Sequence, residues 1–75
     1  MRRAGTVVGN AQGVVVVRAE SDDHAAVGDS LVDERLESAG RVVDVFGPVE
    51  RPYLAVSLAG NTDGVTLVGE TLYAR

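Results

Sequence analysis

The side chains that could carry out chemistry are few and lie far apart in the sequence. His24 is the only histidine, there is no cysteine, and no serine has a second histidine to relay its proton. Two aspartates, Asp22 and Asp23, precede the histidine, but adjacent residues in a turn rarely converge on one ion. A solvated acidic loop is therefore favoured over a metal site. We expect no enzyme activity, no cofactor and no small-molecule substrate.

The segment that stands out is apolar and aromatic, and it runs from Val42 to Val56. Phe46, the only phenylalanine, is followed by a loop with two prolines, and Tyr53 then opens an alternating run. Each proline ring fixes φ near about −65° and removes one N–H. Apolar groups on such a stiff loop lose little entropy when a partner binds. The segment predicts a protein-binding loop, unless Phe46 and Tyr53 simply fill one end of a barrel.

Composition favours a β-protein and disfavours nucleic-acid binding. The chain has 75 residues with fifteen valines and nine glycines, which is typical of one all-β domain spanning residues 1–75. All seven basic residues are arginines, eleven residues are acidic, and the net charge is −4. This charge repels a phosphate backbone, whose binding depends mostly on basic side chains. No apolar run is long enough to cross a membrane, so we expect a cytoplasmic protein.

Turn residues at roughly ten-residue spacing divide the chain into about six short strands. The extended segments that the pattern predicts are 5–8, 13–19, 30–33, 40–46, 53–58, 65–68 and 70–74, with turns at 9–13 and 27–29, a loop or flexible turn at 60–64 and a kink at Gly69. A closed barrel would remove the exposed edges of such strands.

Three segments of the chain depart from a simple pattern of alternating strands and turns. Four consecutive valines, Val14 to Val17, place one pair outside the barrel, where a loop or another protein must cover it. The segment 33–40 is expected to be a loop with at most one helical turn, which Asp33 would cap. In the segment 40–46 neither face is purely apolar, which predicts a β-bulge near Asp44-Val45.

The run GRVVDVFGPVERPYLAV, residues 40–56, resembles the core of the GAR subunit of H/ACA ribonucleoproteins, which are RNA-guided pseudouridine synthases. Shorter matches at residues 11–13, 32–36 and 68–73 extend the resemblance over nearly the whole chain. The pattern V-D-x-F-G-P-V-x-x-P-Y is specific because it fixes two prolines, two aromatic residues and one aspartate. The sequence lacks the glycine-arginine-rich tails of the nucleolar forms, so the resemblance is to the minimal archaeal form.

The resemblance implies a fold, a partner and a set of contact residues. The implied fold is a small six-stranded antiparallel β-barrel of the translation-protein type, with no catalysis of its own. The implied partner is the catalytic domain of a dyskerin-type pseudouridine synthase, where the subunit aids substrate loading and product release and meets the guide RNA only indirectly. The implied partner-binding residues are Phe46, Gly47, Pro48, Val49, Arg51, Pro52 and Tyr53.

Two other functions are compatible with the same residues. The first hairpin, GTVVGNAQGVVVV, is also similar to that of ribosome-maturation barrels, and it supports a barrel that binds RNA directly. A barrel that associates with itself and has a purely structural role is the third possibility. The three hypotheses differ in what the protein binds: the synthase, bare RNA or a second copy of the chain.

Overall fold

The computed structural model describes residues 2–60 and 62–75, which form a closed barrel of six antiparallel strands. The elements are β1 (Arg2–Ala11), β2 (Val14–Arg18), β3 (Ser30–Val32), β4 (Ser38–Phe46), β5 (Tyr53–Leu58), the helical turn α1 (Gly64–Leu67) and β6 (Thr71–Ala74). Around the barrel the strand order is β1-β2-β5-β4-β3-β6, and β6 pairs with β1. The all-β class and the six-stranded antiparallel barrel predicted from the sequence are confirmed.

The four valines of β2 are divided between the inside and the outside of the barrel. Val15 and Val17 have no exposed surface and belong to the core. Val14 and Val16 are half-buried on the outer face of the sheet. The outward pair is therefore Val14 and Val16, and part of their apolar surface remains in solvent.

β5 alternates as the sequence predicts. Leu54 and Val56 are fully buried, while Tyr53 and Ala55 point outward and are half-buried. One neighbour of β5 is β4, which approaches it very closely at one glycine. A Cβ atom on Gly40 would overlap the backbone carbonyl oxygen of Ser57, so only glycine fits at this position.

β4 bends at a β-bulge. Val42 and Asp44 pair with consecutive residues of β5, so Val43 is the inserted residue. As a result Val42 faces the interior, while Val43 and Asp44 both face solvent. The Asp44 carboxylate accepts a hydrogen bond from the Val45 amide at 2.8 Å, which closes the bulge. The predicted bulge is confirmed, one residue earlier than the predicted position.

The first hairpin is longer than the sequence pattern indicates. Residues 9–11, predicted to form a turn, continue β1 and pair with β2, and residues 2–3 pair with β6. The turn contains only Gln12 and Gly13, with φ values of +36° and +83°. Two consecutive residues with positive φ form the tightest connection between antiparallel strands. The prediction of a first strand limited to residues 5–8 was therefore wrong.

Residues 65–68 were predicted to be extended, and this prediction was also wrong. The Asp63 carboxylate caps α1 by accepting a hydrogen bond from the Val65 amide at 2.9 Å. Leu67 is 8% exposed and joins the core. Local capping and the burial of one leucine outweigh the preference of valine and threonine for strands. This turn is the one helix within residues 2–60 and 62–75, and it is too short to cross a membrane.

The other connections agree with the predictions in part, because Ser38 and Ala39 of the predicted loop at 33–40 already belong to β4, and Gly64 of the predicted loop at 60–64 begins α1. Gly28 lies in the predicted turn at 27–29, and Gly69 has a φ of +90° at the predicted kink. The segment before β4 is a loop, because Leu36 has a φ of +66° and is 54% exposed. Part of the predicted loop at 60–64 falls on Asn61, which lies outside the described residues.

Candidate partner-binding site

The loop between β4 and β5, residues 47–52, begins and ends at one cross-strand pair. Phe46 and Tyr53 are directly opposite each other in the register of the two strands. Gly47 has a φ of +92°, which lets the chain leave β4 at a sharp angle. The Arg51 amide then donates a hydrogen bond to the Pro48 carbonyl at 3.3 Å and closes a turn inside the loop.

The rings of Phe46 and Tyr53 stack on the outer surface of the barrel. Their centroids are 5.6 Å apart and their planes are inclined by 25°. Phe46 is 45% exposed and Tyr53 is half-buried. The two rings therefore lie on the outside of the sheet rather than in the barrel interior, and they present an apolar surface to solvent.

Arg18 completes this stack from the other neighbouring strand. It is the β2 partner of Tyr53, and its guanidinium carbon lies 5.6 Å from the centroid of the Tyr53 ring. Tyr53 therefore lies between Arg18 on one side and Phe46 on the other. The role of Arg18 was not predicted from the sequence, because only the register of β2 and β5 brings it to Tyr53.

The remaining loop residues separate into an exposed tip and a buried base. Val49 is 82% exposed, and Pro48 is also exposed at the tip. Pro52 is buried, and its carbonyl oxygen accepts a hydrogen bond from the Ala19 amide at 2.9 Å. Pro52 therefore supports the loop from below, and its ring is not part of the exposed surface.

Arg51 adds a second connection between the loop and the residue that follows β2. Its Nε donates a hydrogen bond to the Ala19 carbonyl oxygen at 3.1 Å. Together with the bond from the Ala19 amide to the Pro52 carbonyl oxygen, this contact fixes the loop at two points. The loop is thus held by tertiary hydrogen bonds in addition to the stiffness of its prolines.

The histidine and its acidic neighbours lie in a different part of the molecule. Asp23 forms an ion pair with Arg2 at 3.0 Å, and the Nδ1 atom of His24 lies 2.7 Å from the Ala25 carbonyl oxygen. Among the described residues no group of three or more His, Cys, Asp or Glu side chains could hold a metal ion.

A cavity of about 640 Å³ lies at the opposite ends of β4 and β5 from the aromatic pair. It is bordered by polar side chains such as Asp33, Arg35 and Thr66. The Arg35 guanidinium lies 3.5 Å from the Asp33 carboxylate and 3.2 Å from that of Glu37. Arg35 is thus paired with carboxylates within this cavity, and the aromatic pair remains the strongest candidate for a functional site.

No family model matches the chain, and no curated protein matches it. Among solved structures, "Structure of the Gar1 domain of NAf1" describes a similar protein, with a TM-score of 0.74 and 16% sequence identity. The similarity covers 99% of this chain and 85% of the other. The two proteins therefore share a fold.

Proposed function

We propose that this chain is a non-catalytic subunit of an H/ACA RNA-guided pseudouridine synthase particle. It docks on the catalytic domain of a dyskerin-type synthase in the cytoplasm and aids substrate loading and product release during rRNA pseudouridylation. The motif at residues 40–56 and the shared fold with a Gar1 domain support the same family independently, one from sequence and one from structure.

The observation that carries the proposal is the exposed stack of Phe46 and Tyr53 beside a loop that two hydrogen bonds to Ala19 hold at its carboxyl end. Aromatic side chains provide a disproportionate share of the energy of protein interfaces. Here the two rings are already stacked, and the loop between them is fixed by Arg51 and Pro52. Binding therefore orders few groups, and most of the burial energy remains available for affinity.

The seven residues assigned from the motif have different roles in this proposal. Phe46, Pro48, Val49 and Tyr53 make the contacts, since they form the apolar surface at the tip. Gly47, Arg51 and Pro52 give the loop its shape, since the first has a positive φ and the other two are bonded to Ala19.

The alternative, direct RNA binding, is less well supported by the geometry of the same site. Proteins that hold single strands use free aromatic faces on which bases can stack. Tyr53 already lies beside Arg18 on one neighbouring strand and Phe46 on the other, which leaves less of its ring free for a base. The net charge of −4 also opposes a polyanion.

Titration calorimetry with two separate ligands tests the proposal. The purified protein is titrated first with the catalytic subunit of a dyskerin-type synthase and then with H/ACA guide RNA alone. We expect saturable binding to the synthase and no binding to bare RNA. Binding to bare RNA that weakens steeply with added salt, together with no binding to the synthase, would establish the RNA-binding barrel instead.

A further inference from the structure

The aromatic pair is one corner of a larger outer surface formed by β2, β5 and β4, which we call the arginine-rimmed face. From one end of the strands to the other, its cross-strand rows are Arg18–Tyr53–Phe46, Val16–Ala55–Asp44 and Val14–Ser57–Arg41. The bulge adds Val43 to the middle row. The face therefore has an apolar middle and an arginine at each of two opposite corners.

Much of the apolar surface of the face is accessible to solvent. Val43 is 49% exposed and Phe46 is 45% exposed, on the same strand. Val14, Val16 and Ala55 are half-buried and lie on the two strands beside it. Val14 and Val16, the outward pair of the four valines, therefore belong to an open face that extends to the aromatic stack.

The arginines of this face differ in their partners from three of the four arginines elsewhere in the chain. Arg2, Arg3 and Arg35 each form ion pairs with carboxylates elsewhere on the protein. The arginines on or beside the face, Arg18, Arg41 and Arg51, make no ion pair within the described part of the chain.

The charge of the face is also opposite in sign to that of the rest of the protein. The face and its loop carry the three unpaired arginines and two acids, Asp44 and Glu50, whereas the rest of the chain has four arginines and nine acids. The Asp44 carboxylate already accepts a hydrogen bond from the Val45 amide. A protein that is acidic overall thus presents an apolar surface with unneutralised guanidinium groups at its edge.

We infer that the whole arginine-rimmed face, and not only the loop, is the docking surface, and that its occupant is an apolar patch of the synthase flanked by carboxylates. This inference rests on the proposed function and specifies the chemistry of the partner. Guanidinium groups bind carboxylates in a bidentate geometry, and complementary charges at the rim fix the orientation of two surfaces. Arg18 and Arg41, at opposite corners, define that orientation.

A second copy of the chain fits this face poorly. A two-fold dimer would place the face against itself and bring arginine rims of like charge together. Nucleic acid fits poorly as well, since Asp44 and Glu50 lie among the arginines and the chain has a net charge of −4. An acidic and apolar polypeptide surface satisfies both the valines and the guanidinium groups.

Charge reversal at the corner farthest from the loop tests the inference. Arg41→Glu is compared with wild type and with Arg35→Glu, a reversal at an exposed arginine outside the face that has its own acidic partners. The dissociation constant for the synthase catalytic subunit is measured by calorimetry at low and high salt. We expect Arg41→Glu to weaken binding about tenfold at low salt and less at high salt, and Arg35→Glu to change it less than about twofold.

The outcomes separate the inference from the proposed function. If wild type binds the synthase, Phe46→Ala weakens binding, and both Arg41→Glu and Arg18→Glu bind like wild type, the inference is overturned and the proposed function stands. If wild type does not bind the synthase, the proposed function and the inference are both overturned. A dimer in light scattering that Arg41→Glu dissociates, or RNA binding that it abolishes, would also overturn the inference. Circular dichroism checks folding, and the neutral variant Arg41→Gln replaces Arg41→Glu if the latter unfolds.

Discussion

Phe46 and Tyr53 form a stacked pair across β4 and β5, 5.6 Å apart between ring centroids, although the whole 47–52 loop separates them in sequence. The stack exists because the loop starts and ends at the same rung of the sheet. Gly47 contributes directly, since a Cβ at that position would lie 2.9 Å from the Tyr53 Cδ2 atom. The shape of the loop and the position of the rings are therefore coupled.

Replacing Tyr53 with alanine is expected to weaken binding to the synthase by about 1–3 kcal/mol, because it removes half of the stack. Calorimetry measures the loss, and thermal unfolding monitors the fold. Tyr73→Ala is the matched control: Tyr73 is also a half-buried, outward tyrosine, but it lies on β6, on the opposite side of the barrel from β5. Equal losses of affinity in both variants, or unfolding of Tyr53→Ala alone, would contradict the role of Tyr53 as a contact.

Replacing Pro48 with glycine tests the contribution of stiffness. The exposed ring of Pro48 fixes one φ angle at the tip of the loop, and glycine frees it. We expect binding to weaken by about 1 kcal/mol with little change in thermal stability, and the loss to be mainly entropic in calorimetry. Pro48→Ala is the control, since it also removes the ring but keeps more of the backbone restriction. Equal losses of affinity in the glycine and alanine variants would mean that the ring acts by contact only.

Gly47→Ala is expected to displace the Tyr53 ring as well as to strain the backbone. Gly69 provides the matched control, because its φ of +90° is close to the +92° of Gly47 but nothing lies within 4 Å of the added Cβ. Both variants should lose about 1 kcal/mol of stability from the positive φ. Only Gly47→Ala should shift the ring resonances of Tyr53 in an NMR spectrum and reduce affinity. Identical spectra around Tyr53 in the two variants would show that the ring does not depend on Gly47.

The sequence predicts the features that depend on near neighbours in the chain. The alternation in 53–58, the bulge in β4 and the proline-containing loop are all confirmed, because each depends on side-chain order within a few residues. The motif around Phe46 and Tyr53 also indicated the candidate site before its geometry was known. The sequence pattern does not show which distant segments of the chain contact each other.

Arg18 and α1 illustrate this limit. Arg18 reaches Tyr53 only through the register of two strands that are distant in sequence. Three of the residues at 65–68 have β-branched side chains that favour a strand, yet the Asp63 cap and the burial of Leu67 produce a helical turn. The contact of Arg18 and the burial of Leu67 both depend on tertiary structure, which a single-sequence pattern does not report.

The Asp33 carboxylate makes the free energy of unfolding depend on pH, and variants of this one residue can measure its contribution. Its carboxylate oxygen accepts hydrogen bonds from the amides of Arg35 at 2.9 Å and Glu37 at 3.0 Å. Burial alone would raise the pKa of Asp33, but the hydrogen bonds from Glu37 and Arg35 and the charge of Arg35 outweigh it, so the pKa lies below its ordinary value of 3.8. The folded state therefore favours the ionised carboxylate.

Asp33→Ala should accordingly lower the free energy of unfolding by about 1–2 kcal/mol near pH 7, as two hydrogen bonds to the loop are lost. A depressed pKa stabilises the fold above the unfolded value and loses this effect as the pH falls through the folded value. Urea unfolding of both proteins should thus show their difference shrinking once the pH drops below 3.8. Asp33→Asn keeps an acceptor oxygen but cannot titrate. The difference in free energy of unfolding between Asp33→Asn and Asp33→Ala should therefore not shrink as the pH falls. A wild-type advantage that is constant down to about pH 2 would mean that the charge of Asp33 contributes nothing to folding.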